Sequence, residues 1–496
     1  MNGRLGAQPP PRPKSYIRLP LEKTCTINRA TYPYAFFNLG EPHIAWTHNG
    51  CLCNDYAALR YRHQVETPAI PEPEELELAW LELVKLLPSE RLQPWKRYKV
   101  VRSYHGPWRA KYHQAHLEYG ENGISHKHRI VRLFNKSDLE MGRPEKAPRA
   151  IQYRHPVFCL EQARYTKPIE KWFYQLRDRF DTRIVGKCDP FTIASTLRAK
   201  AACFANPVYL MLDASKFDSC VDIKWLRLTM KFYCKLFPQR DTRRIRWLWS
   251  RTLINTGRSK SGIKYKTHGT RMSGDMDTGL GNSIIMWCLL TLYMRSCNID
   301  KYSILVNGDD SVVVIEKSQL AVTRNLNIFR YYGFNMKYEV TDDFSRLDFC
   351  QARPVETDYG WTMARRPDRL LGRTSWSVKM FGKTKMRSFV HTLGVCERAA
   401  SWGVPVASAL ATKMIESTVG ARMMKLSPWL TEHYALMQRW WKNGKPSVSN
   451  IARVSFYEAW DISPEEQMKI EASILVRLVA RPTELQLQYY HDLVNH

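Results

Sequence analysis

Asp309 and Asp310 are adjacent acids in the stretch Ser303 to Glu316, SILVNGDDSVVVIE, between two apolar, β-branched runs. Gly308 supplies the backbone freedom of a short turn, and Val312 to Ile315 suit a buried strand, so the carboxylates are expected at the tip of a hairpin. Adjacent aspartates repel at neutral pH unless a cation lies between or beside them. The tip therefore suits a hard divalent ion, although a solvated Asn-Gly-Asp turn has the same composition. A second acidic element runs from Pro207 to Asp218, where an apolar strand ends in Asp213 and a turn leads to Asp218. A buried strand ending in an acid needs a partner for the charge, and the hairpin acids can share one through a metal.

Cations that could serve such a centre lie on both sides of it. Arg149 to Arg154 alternates as a strand would, and Lys146, Arg149 and Arg154 either converge on a triphosphate or line a solvated basic strand. Lys337, in a strand expected over 335–340, is a candidate proton donor to a leaving pyrophosphate. Ser273 to Asn282, SGDMDTGLGN, is a glycine-rich loop before an apolar helix expected over 283–297. Its Thr278 and Asn282 are available to sugar hydroxyls, and a plain cap before a core helix is the other reading. No Gly-Lys-Ser/Thr follows the glycines, so it is not a P-loop. His126-Lys127-His128 has no acid or cysteine beside it and is expected to be a solvated basic turn.

These elements sit in a chain of 496 residues, too long for one comfortable core. Lys and Arg total 75 against 47 Asp and Glu, a net +28, which calls for a polyanionic partner. Nucleic acid comes first, through counterion release, and an anionic membrane surface second. Trp95, Tyr98, Tyr104, Trp108 and Tyr112 interleave with basic residues between Arg91 and His128, a composition suited to single-stranded nucleic acid or to a helix with a charged outer face. Arg240 to His268 is a basic, tryptophan-bearing stretch read as a template-side insert or as a charged helix and hairpin. The 12 cysteines lack paired zinc spacing and read as reduced thiols of an intracellular protein. The apolar window Ile284 to Leu290 is too short to span a bilayer, and the first residues lack the apolar core of a signal peptide, so membrane attachment is expected to be peripheral or borrowed. Further helices are expected over 76–87, 221–237, 319–332, 388–400, 404–419, 430–442 and 463–479, the last opened by a Ser463 to Glu466 capping box, and a short strand pair over 347–355.

The order of the parts is more specific than any one of them. Lys146 to Arg154 (KAPRAIQYR), Leu212 to Asp218, Arg271 to Asn282 (RMSGDMDTGLGN), Asn307 to Asp310 and Phe349-Cys350-Gln351 together resemble the viral RNA-dependent RNA polymerases of the tombusvirus and carmotetravirus type, over roughly residues 45 to 400. Asp277 and Gly279 depart from the family's usual Asn and another small residue, and the long membrane-anchored extension common in tombusvirus replicases is not seen.

The resemblance implies an α+β right-hand polymerase with fingers, a palm built on an antiparallel sheet flanked by helices, and a helical thumb. Mapped onto this chain, 1–65 is an N-terminal extension, 66–205 fingers, 206–237 palm, 238–270 a fingers insert, 271–372 palm and 373–496 thumb. It implies two Mg²⁺ or Mn²⁺ ions on Asp213 and Asp309 with Asp310 assisting, and ribose selection by Asp218 and Asn282 with Ser273 or Thr278. Lys136 joins Lys146, Arg149 and Arg154 along the nucleotide channel. The expected partners are single-stranded RNA template, nascent RNA, ribonucleoside triphosphates and a separate viral or host protein for membrane recruitment, at replication sites in the host cytoplasm. A reverse transcriptase and a noncatalytic RNA-binding protein are the competing readings. Asp218 and Asn282 speak against the first, and acids placed on apolar strands against the second.

Overall fold

A computed structural model describes residues 45–68, 76–136, 147–374, 381–424 and 444–476, with short segments among 17–37 and residues 138, 140, 141, 376–379 and 478. The chain is an α+β protein. Its centre is a four-stranded antiparallel sheet in the order Tyr302–Asn307, Asp310–Glu316, Pro207–Ala214, Met336–Thr341. The hairpin expected from the Asn307 to Asp310 turn is present, and Gly308 takes the positive φ of 68° that the two-residue connection needs.

The near-continuous apolar runs follow from burial of both sheet faces. Val208, Leu210, Leu212, Val313 and Ile315 join one cluster, with the helices Ile223–Leu236 and Thr278–Ser296, while Tyr209, Val312 and Val314 join another, against the helix Pro190–Ala201 and the hairpin Ala352–Thr357/Gly360–Arg365. Thr278–Ser296 is buried nearly all round, from Leu280 to Met294, and forms the central helix of the larger core. A second core joins Val355 and Ala364 to the C-terminal helices Lys383–Ala400, Ala407–Glu416 and Asn450–Trp460.

A further sheet holds Val131–Asn135, Ala150–Tyr153 and the hairpin Ile254–Ser259/Lys264–His268. The basic stretch 240–268 is thus a helix, Gln239–Leu253, followed by that hairpin. Between Arg91 and His128 the chain forms the helices Arg97–Arg102 and Gly106–Asn122.

Several elements differ from expectation. The central helix begins at Thr278 and takes in Gly279 and Gly281. The C-terminal helix stops at Ser473, and Ile474–Val476 pairs as a strand with Ala35–Phe37. Residues 317–332 split into a 3₁₀ segment, Lys317–Arg324, and a short helix, Asn327–Tyr331. The strand pair expected over 347–355 lies at 352–365. The helix expected over 430–442 and Lys146 lie outside the described residues.

Candidate active site

Strand register brings the acids together. Asp310 is paired directly with Asp213 across the two central strands, and Lys337 is paired with Asp213 on its other side. Residues directly opposite one another project from the same face of a sheet with Cβ atoms about 4.5–5.5 Å apart, so Asp213, Asp310 and Lys337 share one face at one end. Asp309 adds the turn. Two acids facing each other on adjacent strands repel, and the effect is visible: burial, then Asp309 and Asp213, push the Asp310 carboxyl up to about 7. Burial and the charge of Asp213 likewise raise Asp309. Lys337 Nζ lies 3.9 Å from Asp213, both side chains being more than half exposed. The donor set is all carboxylate oxygen, the chemistry of a hard divalent cation, and the mutual repulsion that raises Asp309 and Asp310 fits such an ion.

The turn is held from behind. Gly308 N–H donates to Ser283 Oγ at 2.8 Å, which itself donates to Gly279 O, tying the acidic tip to the first turns of the central helix. Asn307 Nδ2 reaches Cys350 Sγ at 3.4 Å, in a turn where Cys350 and Gln351 both take positive φ. Sequence reasoning missed the Ser283 tie, although Ser283 directly follows Asn282.

Asp218 lies in the short helix Phe217–Cys220 after the first acidic strand, and Asn282 Nδ2 donates to its carboxylate at 2.8 Å. Burial raises the Asp218 carboxyl to about 6, opposed by the Asn282 hydrogen bond and reinforced by Asp309. Asn282 Oδ1 is buried and has no hydrogen-bond partner among the described residues. The Asp218 and Asn282 pair is seated by Arg271, whose backbone N–H donates to Asp218 O and whose guanidinium binds Asp277 at 2.9 Å. Trp249 Nε1 and Tyr233 Oη also donate to Asp277, at 2.9 and 3.2 Å. Asp277 therefore answers a buried arginine.

The remaining candidates divide. Arg149 is exposed, lies within electrostatic reach of Asp218 and Asp309, and approaches Asp138 at 3.8 Å, which Lys136 also contacts at 3.2 Å. Arg154 does not join them. It is buried, with Nε 2.8 Å from Asp275, Nη1 on Arg129 O and Nη2 on Asn255, so it is a structural hub and not a free cation of a triphosphate clamp. The hydroxyls of Ser273 and Thr278 brace the loop: Ser273 donates to Ala150 O and accepts from Gln152 N–H, and Thr278 Oγ1 lies 2.8 Å from Met272 O and 2.9 Å from Asp275 O.

His128 corrects the solvated-turn reading. It is fully buried, bonded to Glu118 at 2.9 Å and stacked on His155 at 4.6 Å. Glu118, His128 and His155 form the trio among the described residues whose ligand atoms all lie within 4.8 Å of one another. Its chemistry favours structure over metal: Nδ1 of His128 accepts the Ser125 N–H, so the proton sits on Nε2 and is donated to Glu118.

An antiparallel sheet with opposed aspartates at one end, backed by a glycine-bearing helix whose Asn meets a third acid, defines a carboxylate-centred enzyme class. Residues 48–478 match the family model described as viral RNA dependent RNA polymerase, and the chain belongs to that family. It is similar to proteins named RNA-directed RNA polymerase from groundnut rosette virus (strain MC1), 31% identical over 77% of this chain and 46% of that protein, and from tobacco necrosis virus (strain A), 29% identical over 77% of this chain and 54% of that protein. The protein of the same name from carnation mottle virus is 28% identical over 76% of this chain and 50% of its own length. The chain spans about half the length of these relatives. Among the described residues no helix is long and apolar enough to cross a membrane.

Proposed function

We propose that the chain is an RNA-dependent RNA polymerase that copies a viral RNA genome by template-directed transfer of ribonucleotides. The observation that carries this reading is the direct pairing of Asp213 with Asp310 beside Asp309. Two Mg²⁺ or Mn²⁺ ions held by Asp213 and Asp309, with Asp310 beside them, would supply the charge that activates a primer 3′-hydroxyl and steadies the triphosphate. Asp218 and Asn282 bind the incoming ribose: the Asn282 oxygen, without a partner among the described residues, is suited to accept a hydrogen bond from a 2′-hydroxyl, and Asp218 fixes the amide's orientation. Arg149 and Lys136 meet the triphosphate, Lys146 is assigned to the same channel from sequence, and Lys337 donates a proton to the departing pyrophosphate.

The central sheet and its helices are the palm of a right hand, 66–205 with the 238–270 insert the fingers, and 373–496 the thumb. Single-stranded RNA template and nascent RNA occupy the cleft between them. Recruitment to membrane-associated sites in the host cytoplasm proceeds through a separate viral or host protein.

The test is incorporation of labelled ribonucleotides by purified protein on a defined single-stranded RNA with Mg²⁺ or Mn²⁺, beside an Asp309→Ala, Asp310→Ala variant. Template-dependent product from the wild type alone supports the reading. Equal product from both proteins, or RNA binding without synthesis by either, contradicts it.

A further inference from the structure

The aromatic and basic stretch between Arg91 and His128 divides in two. Tyr104 and Tyr112 stack on each other at 4.4 Å and pack against the helix Pro156–Phe173. Trp95, which packs on the edge of the same cluster, and the half-exposed Tyr98 border an open cavity of about 590 Å³ completed by Pro168 and Trp172 from the far part of that helix. Lys96, Lys99 and Lys171 stand around it, all exposed, and no Asp or Glu is among the described residues that line it.

The cavity has a fixed frame. Trp95 N–H donates to Arg164 O, Arg164 Nε returns a bond to Trp95 O at 3.0 Å, and Leu92 N–H donates to Leu236 O, so the segment is stapled to two helices through its backbone. Trp172 is half-buried against Phe173 and Phe232. Tyr98 is 50% exposed, and Lys99 lies over the Trp95 ring at 4.5 Å.

This cavity is not part of the acidic site. None of Asp213, Asp218, Asn282, Asp309, Asp310 or Lys337 borders it, and its walls come instead from the segment around Trp95 and the later part of the helix Pro156–Phe173.

We propose that Trp95, Tyr98, Trp172 and the three lysines form a docking site for single-stranded RNA that shares no lining residue with the acidic centre. The inference rests on the polymerase reading only in expecting RNA as the polyanion. The exposed Tyr98 ring, with the partly buried Trp95 and Trp172 beside it, accepts any base, and the lysines, with no carboxylate among the described lining residues, meet the phosphates. The open cleft suits a strand passing through, and stacking with charge pairing gives binding that is indifferent to sequence.

The experiment uses the full chain and a labelled single-stranded RNA whose binding is followed by anisotropy from 50 to 300 mM salt. Three proteins are compared: the wild type, a Lys96→Glu, Lys99→Glu, Lys171→Glu variant, and a Lys301→Glu, Lys383→Glu, Lys469→Glu control with the same charge change on other elements. Ultraviolet crosslinking of the wild type then maps the bound peptides. The site predicts at least a 10-fold loss of affinity beyond the control, a log–log salt slope shallower by about 2 for three phosphates, and crosslinks within 92–99 or 168–175. Tyr98→Ala is expected to weaken binding without changing the salt slope. Equal affinities in variant and control, no crosslink in these segments, or displacement of the RNA from them by ATP at equal nucleotide concentration would overturn it. Because binding is read without synthesis, a protein that binds here but makes no product refutes the polymerase reading and leaves the docking site standing.

Discussion

Arg271 and Asp277 form a 2.9 Å ion pair with both side chains almost wholly buried, and the same Asp277 carboxylate accepts from Trp249 and Tyr233. Removing one partner of a buried pair strands the other charge and costs about 3–5 kcal/mol. Asp277→Ala is therefore expected to lose stability on that scale in urea unfolding, and Asp277→Asn, which keeps an acceptor, distinctly less. Equal, negligible losses in both would mean the pair carries no structural weight.

Gly274 is irreplaceable for a different reason. A Cβ there would sit 2.7 Å from Gln152 O, a backbone atom of the strand that the loop braces. Gly274→Ala must push the loop off the strand, with about 1–3 kcal/mol lost as in other overpacked sites. Gly279, where a Cβ meets nothing within 4 Å, should tolerate Ala. Thermal melts of the two variants compare them directly.

Asp218 and Asn282 carry the proposed ribose selection. A hydrogen bond between a neutral amide oxygen and a hydroxyl contributes about 0.5–1.5 kcal/mol, so Asn282→Ala should lower the ratio of ribo- to deoxyribonucleotide kcat/KM by roughly 2- to 13-fold. A variant that loses both substrates in proportion would place Asn282 in the scaffold instead.

Glu161 gives the acid limb of stability. Burial pushes its carboxyl up, but hydrogen bonds from Arg97 and Arg244 and the nearby Arg164 overcome that and hold it below the usual carboxylate range. A depressed carboxylate binds fewer protons folded than unfolded, so its contribution is full above the ordinary glutamate pKa and is lost as pH falls through the folded value. The melting temperature gap between wild type and Glu161→Gln should be wide at pH 7 and close as the pH drops below 4. A gap independent of pH would contradict the assignment.

The central strands were legible because both their faces are buried, which writes Val312 to Ile315 and Val208 to Leu212 as near-unbroken apolar runs that end in acids. Arg154 was not legible: its partner Asp275 is 121 residues away in sequence, and nothing local separates a buried arginine from a channel arginine. The start of the central helix at Thr278 was hidden by Gly279 and Gly281, poor helix formers. A Cβ at Gly281 would press on the Arg271 guanidinium, which its buried pair with Asp277 holds in place. His128 looked solvated because Glu118 and His155 reach it only through the fold.

The central claim is that opposed aspartates at the sheet's end make a divalent-cation centre, and Mn²⁺ binding followed by electron paramagnetic resonance tests it without requiring synthesis. Wild-type protein is expected to take up Mn²⁺, with Asp213→Asn and Asp310→Asn each weakening it at least 10-fold while Glu118→Gln leaves it unchanged. Identical Mn²⁺ titrations for the wild type and both aspartate variants would contradict the account.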